Sequence, residues 1–285
     1  MTDLLPPQDA TSPRPFDAER RLRHGARLQG AWTFATPDDE QACLAHVAGV
    51  DEADLAAALH GDPKAQAQEL ALQALEAPSP EQARELATRA LEVDSACLDA
   101  RLVAAQTVSP QPKEQVEALR ALLKEADAEV DPFLQRTWAG RYHQALRLRP
   151  HLRIRKALAE VLVPAGRKRQ AIQVLEELLQ LDLRDPLGAR FLLAQLFVAT
   201  AQRKDLLALA ARFSEDGSLA MAWIQLLAKV LLGEEAAAQE ILSRVSRRNP
   251  HVGPLLVGKT RRPRHPSPTH EAGSPDEACA VLSVI

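Results

Sequence analysis

Residues 152–182, LRIRKALAEVLVPAGRKRQAIQVLEELLQLD, decide the fold. Leu158 and Ala159 are followed by Leu162, then Gly166, then Ala171, Leu175, Leu178 and Leu179, so apolar residues recur at helical spacing on both sides of a glycine. An earlier copy reads Leu70, Ala71, Ala74, Ala83, Ala87, Ala90 and Leu91, and a later one Trp223, Leu226, Leu227, Gly233, Ala238 and Leu242 before Pro250. The period is near 34 residues. Two antiparallel helices touching through small side chains, with Gly at the reversal and a breaker after the second helix, account for each copy. One such pair cannot bury its apolar face alone, so stacked copies share a core. The prediction is an all-α fold of helix-turn-helix repeats stacked into a curved α-solenoid.

Composition agrees. Aromatic residues are only 4% of the chain while hydrophobic residues reach 46%, so Ala and Leu fill most apolar positions, as closely packed helices require. The three cysteines, Cys43, Cys97 and Cys279, are odd in number and lack CxxC spacing, which argues against a disulfide framework or zinc site and for a reducing compartment. The most apolar stretch, Phe191 to Ala201, is too short to span a bilayer and is interrupted by Gln195. A cytoplasmic protein without a membrane span is expected.

Along the chain, residues 1–35 mix Pro, Asp and Arg and read as a mobile arm, with Arg20, Arg21, Arg23 and Arg27 on one short helical stretch. Residues 36–63 read as short lead-in helices, the first opened by Thr36-Pro37-Asp38-Asp39 and the second over Asp51 to Leu59. The repeat array occupies residues 64–250. Its first pair is Lys64 to Glu76 and Ser79 to Val93, its second Cys97 to Thr107 and Lys113 to Ala128. An irregular unit, Phe133 to Leu148, precedes the pair of residues 152–182, a fourth pair from Pro186 to Phe213 and a last from Leu219 to Asn249. Residues 251–285 form a Pro/Arg-rich tail, ending in a short docking segment introduced by Ser274-Pro275-Asp276-Glu277.

Charge is unevenly spread. Thr36 to Asp131 holds 20 acidic and 7 basic residues, whereas Pro132 to Gln170 holds 10 basic residues against the single Glu160. Such asymmetry can steer an acidic ligand to the middle of the array; intramolecular complementarity or a solvated face explains it equally and is the commoner case on repeat surfaces.

With these residues on the page, the chain resembles tetratricopeptide repeat proteins. More narrowly, it is similar to bacterial relatives of the suppressor of tumorigenicity seven family over roughly residues 64–282, through Ala67-Gln68-Glu69-Leu70, Leu148 to Ala159, Arg169 to Leu196, Asn249-Pro250-His251-Val252 and Ser274 to Ala280. Where that family has its aromatic and Arg-Pro segments, this chain has Arg136-Thr137-Trp138-Ala139-Gly140 and Leu148-Arg149-Pro150-His151-Leu152-Arg153. The animal relative is membrane-associated, but the hydrophobic spans that would explain this are absent here. The resemblance implies a fold and no activity.

Motifs for chemistry are weak. Gly253-Pro254-Leu255-Leu256-Val257-Gly258-Lys259-Thr260 spells a P-loop, but a helix precedes it and a Pro-rich stretch follows, so it reads as an extended apolar strip laid on the last repeat. No HExxH pair, GxSxG elbow or activated thiol is present, and His265 with His270 lacks further ligands at metal spacing. No enzyme, cofactor, metal or small-molecule substrate is expected. Trp223 reads as core and Trp138 as either core or surface, while Trp32 is the best candidate of the three for an exposed anchor, with docking onto the first helices the favoured reading.

The function expected is a non-catalytic scaffold that binds a peptide or partner protein. The alternative, a nucleic-acid adaptor using the basic middle and tail, is disfavoured because Arg247 to His265 has no aromatic ring apart from histidine. The tetratricopeptide resemblance places the second, fifth and ninth positions of each first helix in the groove, which implies Arg153, Lys156 and Glu160 in one repeat and Arg190 in the next. With Arg149 nearby, these would make a positive patch for a carboxylate or acidic peptide.

Overall fold

Helix starts are built by short-range capping. The Thr36 hydroxyl accepts from the Asp39 N–H at 3.2 Å while the Asp39 carboxylate accepts from the Thr36 N–H at 2.8 Å; at Asp62, Ser79, Ser218 and Ser274 the capping side chain accepts from an N–H three residues on, without the return bond. The computed structural model describes residues 15–30, 32–50, 61–262 and 271–283. Among them no β-strand longer than an isolated bridge occurs, and the helices run in antiparallel pairs. The fold is all-α.

Two leading helices, α1 (Asp17–Gln29) and α2 (Pro37–Val47), precede the hairpins. The first hairpin is α3 (Pro63–Glu76) with α4 (Pro80–Val93), the second α5 (Leu98–Thr107) with α6 (Pro112–Glu129). After α7 (Pro132–Thr137) comes a 3₁₀ turn at Tyr142–Gln144, then the hairpin α8 (Arg149–Leu162) with α9 (Lys168–Leu181). The remaining hairpins are α10 (Ala189–Ala199) with α11 (Arg203–Arg212) and α12 (Leu219–Leu232) with α13 (Glu235–Arg248). Two short helices, α14 (Val252–Leu256) and α15 (Pro275–Leu282), close the described chain.

Alanines do the close packing at the first hairpins: Ala67, Ala71, Ala90 and Ala100 form one buried cluster with Cys97, and Ala74 and Ala87 another with Val103. Larger side chains fill the hairpin of α8 and α9, where Leu158, Leu162, Leu175, Leu178 and Leu179 are buried. Reversal after α8 uses Gly166 at φ +74°, with the Arg167 N–H reaching back to Leu162 O and the Gly166 N–H to Val163 O. Gly233 makes the same turn after α12. After α10 the residue in this left-handed conformation is Ala201, at φ +56°, an L side chain where the backbone favours glycine at a cost of roughly 1 kcal/mol.

The chain divides into two compact units, Met1–Pro186 and Leu187–Ile285. The break falls inside the stretch the period assigns to a single array, at Asp185 (φ +53°), Pro186 and Gly188 (φ +69°), where helical hydrogen bonding stops. The period itself is uneven. First helices begin at Pro63, Leu98, Arg149, Ala189 and Leu219, because residues 132–148 form an insertion rather than a hairpin helix. That insertion pairs with the leading segment: the Phe34 N–H donates to Gln144 O at 2.9 Å and the Leu146 N–H to Trp32 O at 3.1 Å.

One expectation is corrected here. Residues 17–29, read from composition as part of a mobile arm, form α1, with Leu22 and Ala26 buried against Phe34, Cys43 and Leu146. The charges that made the segment look solvated have partners far along the chain. The helix expected over Asp51 to Leu59, residues 1–14 and the tail around His265 and His270 lie outside the described residues. The docking segment after Ser274 is helical, and Asn249 secures it, donating from Nδ2 to Ser274 O at 3.0 Å and to Glu277 Oε2 at 2.8 Å.

Candidate functional site

The residues expected to form a positive patch sit on first helices: Arg149, Arg153 and Lys156 on α8, Arg190 on α10. Lys156 belongs to the first unit and Arg190 to the second.

Arg153 is the centre of a buried network. Its Nε and Nη2 donate to both carboxylate oxygens of Asp99 on α5, at 2.8 and 2.6 Å, and its Nη1 and Nη2 to those of Glu19 on α1, at 2.9 and 3.2 Å. Asp99 is fully buried, and Gln68 of α3 donates to it at 2.7 Å. Arg23 closes the other side of Glu19 at 2.8 Å and reaches Leu146 O. Arg149 pairs with Glu40 of α2 at 2.9 Å, lies 3.7 Å from Glu19 and donates from Nε to His143 O at 2.7 Å. Three guanidiniums thus face three carboxylates, and the cluster is neutral.

The electrostatics follow from this count. Burial would raise the Glu19 carboxyl, but the guanidiniums of Arg153, Arg23 and Arg149 overcome it and hold Glu19 well below the usual carboxylate range. Burial works against the charge of Arg153 too, and two bidentate carboxylates reverse its effect and raise the group. Arg149 has one close carboxylate, and there burial prevails and lowers the group. Beside them burial, aided by Arg149, pushes the half-buried His143 down to about 4.

Arg149 and Arg153 are therefore not an open patch for an outside anion; carboxylates of this chain already occupy them. The sequence pattern placed them on a first helix but could not show Glu19, Glu40 and Asp99, whose separations from their arginines run from 54 to 134 residues. The available signal was the charge asymmetry, and its reading as intramolecular complementarity explains this cluster. Other members of the basic stretch behave alike: Arg155 donates to Asp127 at 2.6 Å and Arg167 pairs with Glu117 at 3.3 Å.

Lys156 and Arg190 differ. Lys156 has 37% of its side chain exposed and pairs along its own helix with Glu160 at 2.8 Å, a contact that solvent weakens. Arg190 holds Asp216 at 2.8 Å, with its guanidinium 4.3 Å from the ring centre of Phe191 and 5.3 Å from that of Phe213. Burial opposes the Asp216 charge, but the Ser218 N–H and hydroxyl and the Arg190 guanidinium keep its carboxyl below the usual range.

The P-loop spelling does not build a P-loop. Gly253 lies within α14, and the N–H groups of Val257, Gly258, Lys259 and Thr260 donate to Gly253, Leu255 and Pro254 carbonyls, so they are committed away from any phosphate. The segment is not an extended strip either: Leu255 is buried, whereas Leu256 and Val257 are 56% and 65% exposed. Trp223 and Trp138 are buried, and Trp32 is half-buried beside the α1 cluster with Arg147 over its ring. Burial pushes the Cys97 thiol up to about 11 and also raises Cys43, opposing thiolate formation. Among the described residues no group of three or more His, Cys, Asp or Glu is placed to hold a metal ion, and no helix is long and apolar enough to cross a membrane.

No protein-family model matches the chain, and no curated protein matches it, so the narrower family resemblance stays unmatched. The crystal structure of YrrB, a TPR protein with an unusual peptide-binding site, is similar at a TM-score of 0.46 and 18% identity, covering 72% of this chain and 97% of that one.

Proposed function

We propose that this chain is a non-catalytic scaffold that binds a partner protein or peptide on the surface formed by the first helices of its hairpins. One observation carries the reading: in the first unit that surface holds a helix, α1, gripping its Glu19 with Arg153 and Arg149 in the manner expected for an acidic ligand. Lys156, the most exposed of the four expected patch residues, is the contact proposed for an external partner in the first unit, and Arg190, which also holds Asp216, is proposed separately in the second. The nucleic-acid alternative loses part of its support, since four of the ten basic residues between Pro132 and Gln170, Arg149, Arg153, Arg155 and Arg167, are matched by carboxylates from other elements. It would return if binding to generic DNA fell steeply with salt.

The test is a pull-down with mass spectrometry on the full chain, compared with a Lys156→Glu, Arg190→Gln variant of unchanged melting temperature. A protein retained by the parent chain and lost by the variant is the expected result. An identical set on both would overturn these two contacts, and no reproducible protein on either would overturn the scaffold reading.

A further inference from the structure

Helix α1 divides its contacts by chemistry. Leu22 and Ala26 face Phe34, Cys43 and Leu146, which ties the helix to α2 and to the insertion. Its contacts to the hairpins are of another kind. Arg20 donates from Nε to Glu69 at 2.9 Å and from Nη2 to Glu76 at 2.6 Å, both on α3, and the Phe16 N–H donates to Glu76 at 3.0 Å. Glu19 takes Arg153 and Arg149 of α8, and the Arg153 guanidinium lies 5.6 Å from the centre of the Phe16 ring. Arg153 in turn grips Asp99 of α5. The residues that receive Arg20 and Glu19 lie on two first helices, α3 and α8, while Arg27 reaches Asp62 just before α3 and Arg23 the Leu146 carbonyl of the insertion.

An aromatic ring, an acid three residues later and an arginine after it lie on one helical face, so Phe16, Glu19 and Arg20 reach the same surface together. The receiving surface is their complement: a guanidinium that serves both ring and acid, and two carboxylates for the arginine. Charged contacts of this sort set register and partner choice more than net stability, because each ion gives up water on docking. A helix docked through such heads is fixed in register, with little net stability from the matched pairs although the loss of one member is costly.

We propose that α1 is the resident ligand of the surface formed by α3 and α8, and that this surface accepts an external helix carrying the order aromatic, two residues, Glu, Arg, in competition with α1. The proposal rests on the first-helix surface being the binding surface, and it names the partner's chemistry. Occupancy by α1 reduces the apparent affinity for an outside helix by the fraction of molecules in which α1 has left.

The probe is a labelled synthetic peptide of residues 15–30, titrated into the full chain. The parent chain should bind it weakly, and a Glu19→Gln, Arg20→Gln chain about tenfold or more tightly, since its own α1 competes less. A peptide with Glu19→Lys and Arg20→Glu should not bind, and adding Glu69→Gln with Glu76→Gln to the chain should lower the affinity again. Equal binding of both peptides, or no gain in the folded α1 variant, overturns the proposal. Should that variant fail to fold, hydrogen exchange on the parent chain decides: α1 amides that open before those of α8, and sooner as ionic strength rises, support it, whereas equal protection makes α1 a core element and ends it. Peptide binding without any captured cellular partner would leave this inference standing while removing the scaffold reading, so the two fail separately.

Discussion

Helix α1 in the first unit and helix α15 in the second are both laid on hairpins, but α1 adds buried ion pairs to an apolar contact through Leu22 and Ala26, whereas α15 docks mainly by apolar burial. α1 reaches α3 and α8 through Glu19 and Arg20, whose partners are Arg149, Arg153, Glu69 and Glu76. α15 buries Ala278, Cys279, Val281 and Leu282 in a cluster with Leu219, Ala222, Trp223 and Leu226. Apolar burial stabilises by about 25 cal/mol per Å² removed from water, almost regardless of salt. A buried ion cluster must first recover the desolvation of each charge, so it contributes little net stability while making the loss of any member expensive. α15 is glued, and α1 is matched as well.

The largest expected effect is on the matched side. Arg153→Met leaves Asp99 and Glu19 buried with their main partner gone and should lower stability by about 3–5 kcal/mol, measured by urea denaturation. A loss under 1 kcal/mol would show that water reaches the cluster and would erase the contrast. On the glued side, Leu282→Ala removes apolar atoms from a closed cluster and should cost about 2–4 kcal/mol, with the same penalty at low and high salt. A penalty that changes with ionic strength would break the comparison.

Acid should act on the first unit, and the sign can be worked out. Glu19 titrates far lower folded than unfolded, so its contribution is complete above the ordinary glutamate range, about pH 4–5, and is lost as pH falls through its folded value. His143, pushed down to about 4 by burial and then by Arg149, binds its proton more readily when unfolded. Its stabilising share is therefore present above its unfolded value, about 6.5, and declines between there and about 4. Both effects destabilise on acidification, and His143→Gln should flatten the upper part of that fall in a pH series of melting curves. The smallest effect belongs to an exposed pair: Lys156→Ala, which removes the contact to Glu160, should change stability by about 0.5 kcal/mol or less. A larger loss would mean that the exposed ion pairs of α8 share the energetics of the buried ones.

Much of the fold was legible before any coordinates. Thr36 and Ser274 announce helix starts, and Gly166 and Gly233 announce reversals, because capping and left-handed turns depend on residues within about four positions. The corrected stretches are those whose reading depends on distant partners. α1 looked like a solvated arm because the nearby pairs Asp17–Arg20 and Glu19–Arg23 are those of an exposed helix, whereas the partners that bury Arg20 and Glu19 lie near residues 70 and 150. Arg149 and Arg153 looked free for the same reason. The break between the units also escaped the period, since the Asp185 to Gly188 turn resembles any other loop in sequence.

By itself, the sequence determined that the chain is helical, where most helices begin and end, and that small residues line the hairpin contacts; each of these follows from propensity, capping and apolar spacing, which act over one or two helical turns. Only the tertiary structure decided which charges meet. Glu19, Glu40 and Asp99 are interchangeable with other acids in any local pattern, and the choice of Arg149 and Arg153 as their partners is made by the stacking of α1, α2, α5 and α8, where desolvation leaves a buried guanidinium no stable position except beside a carboxylate.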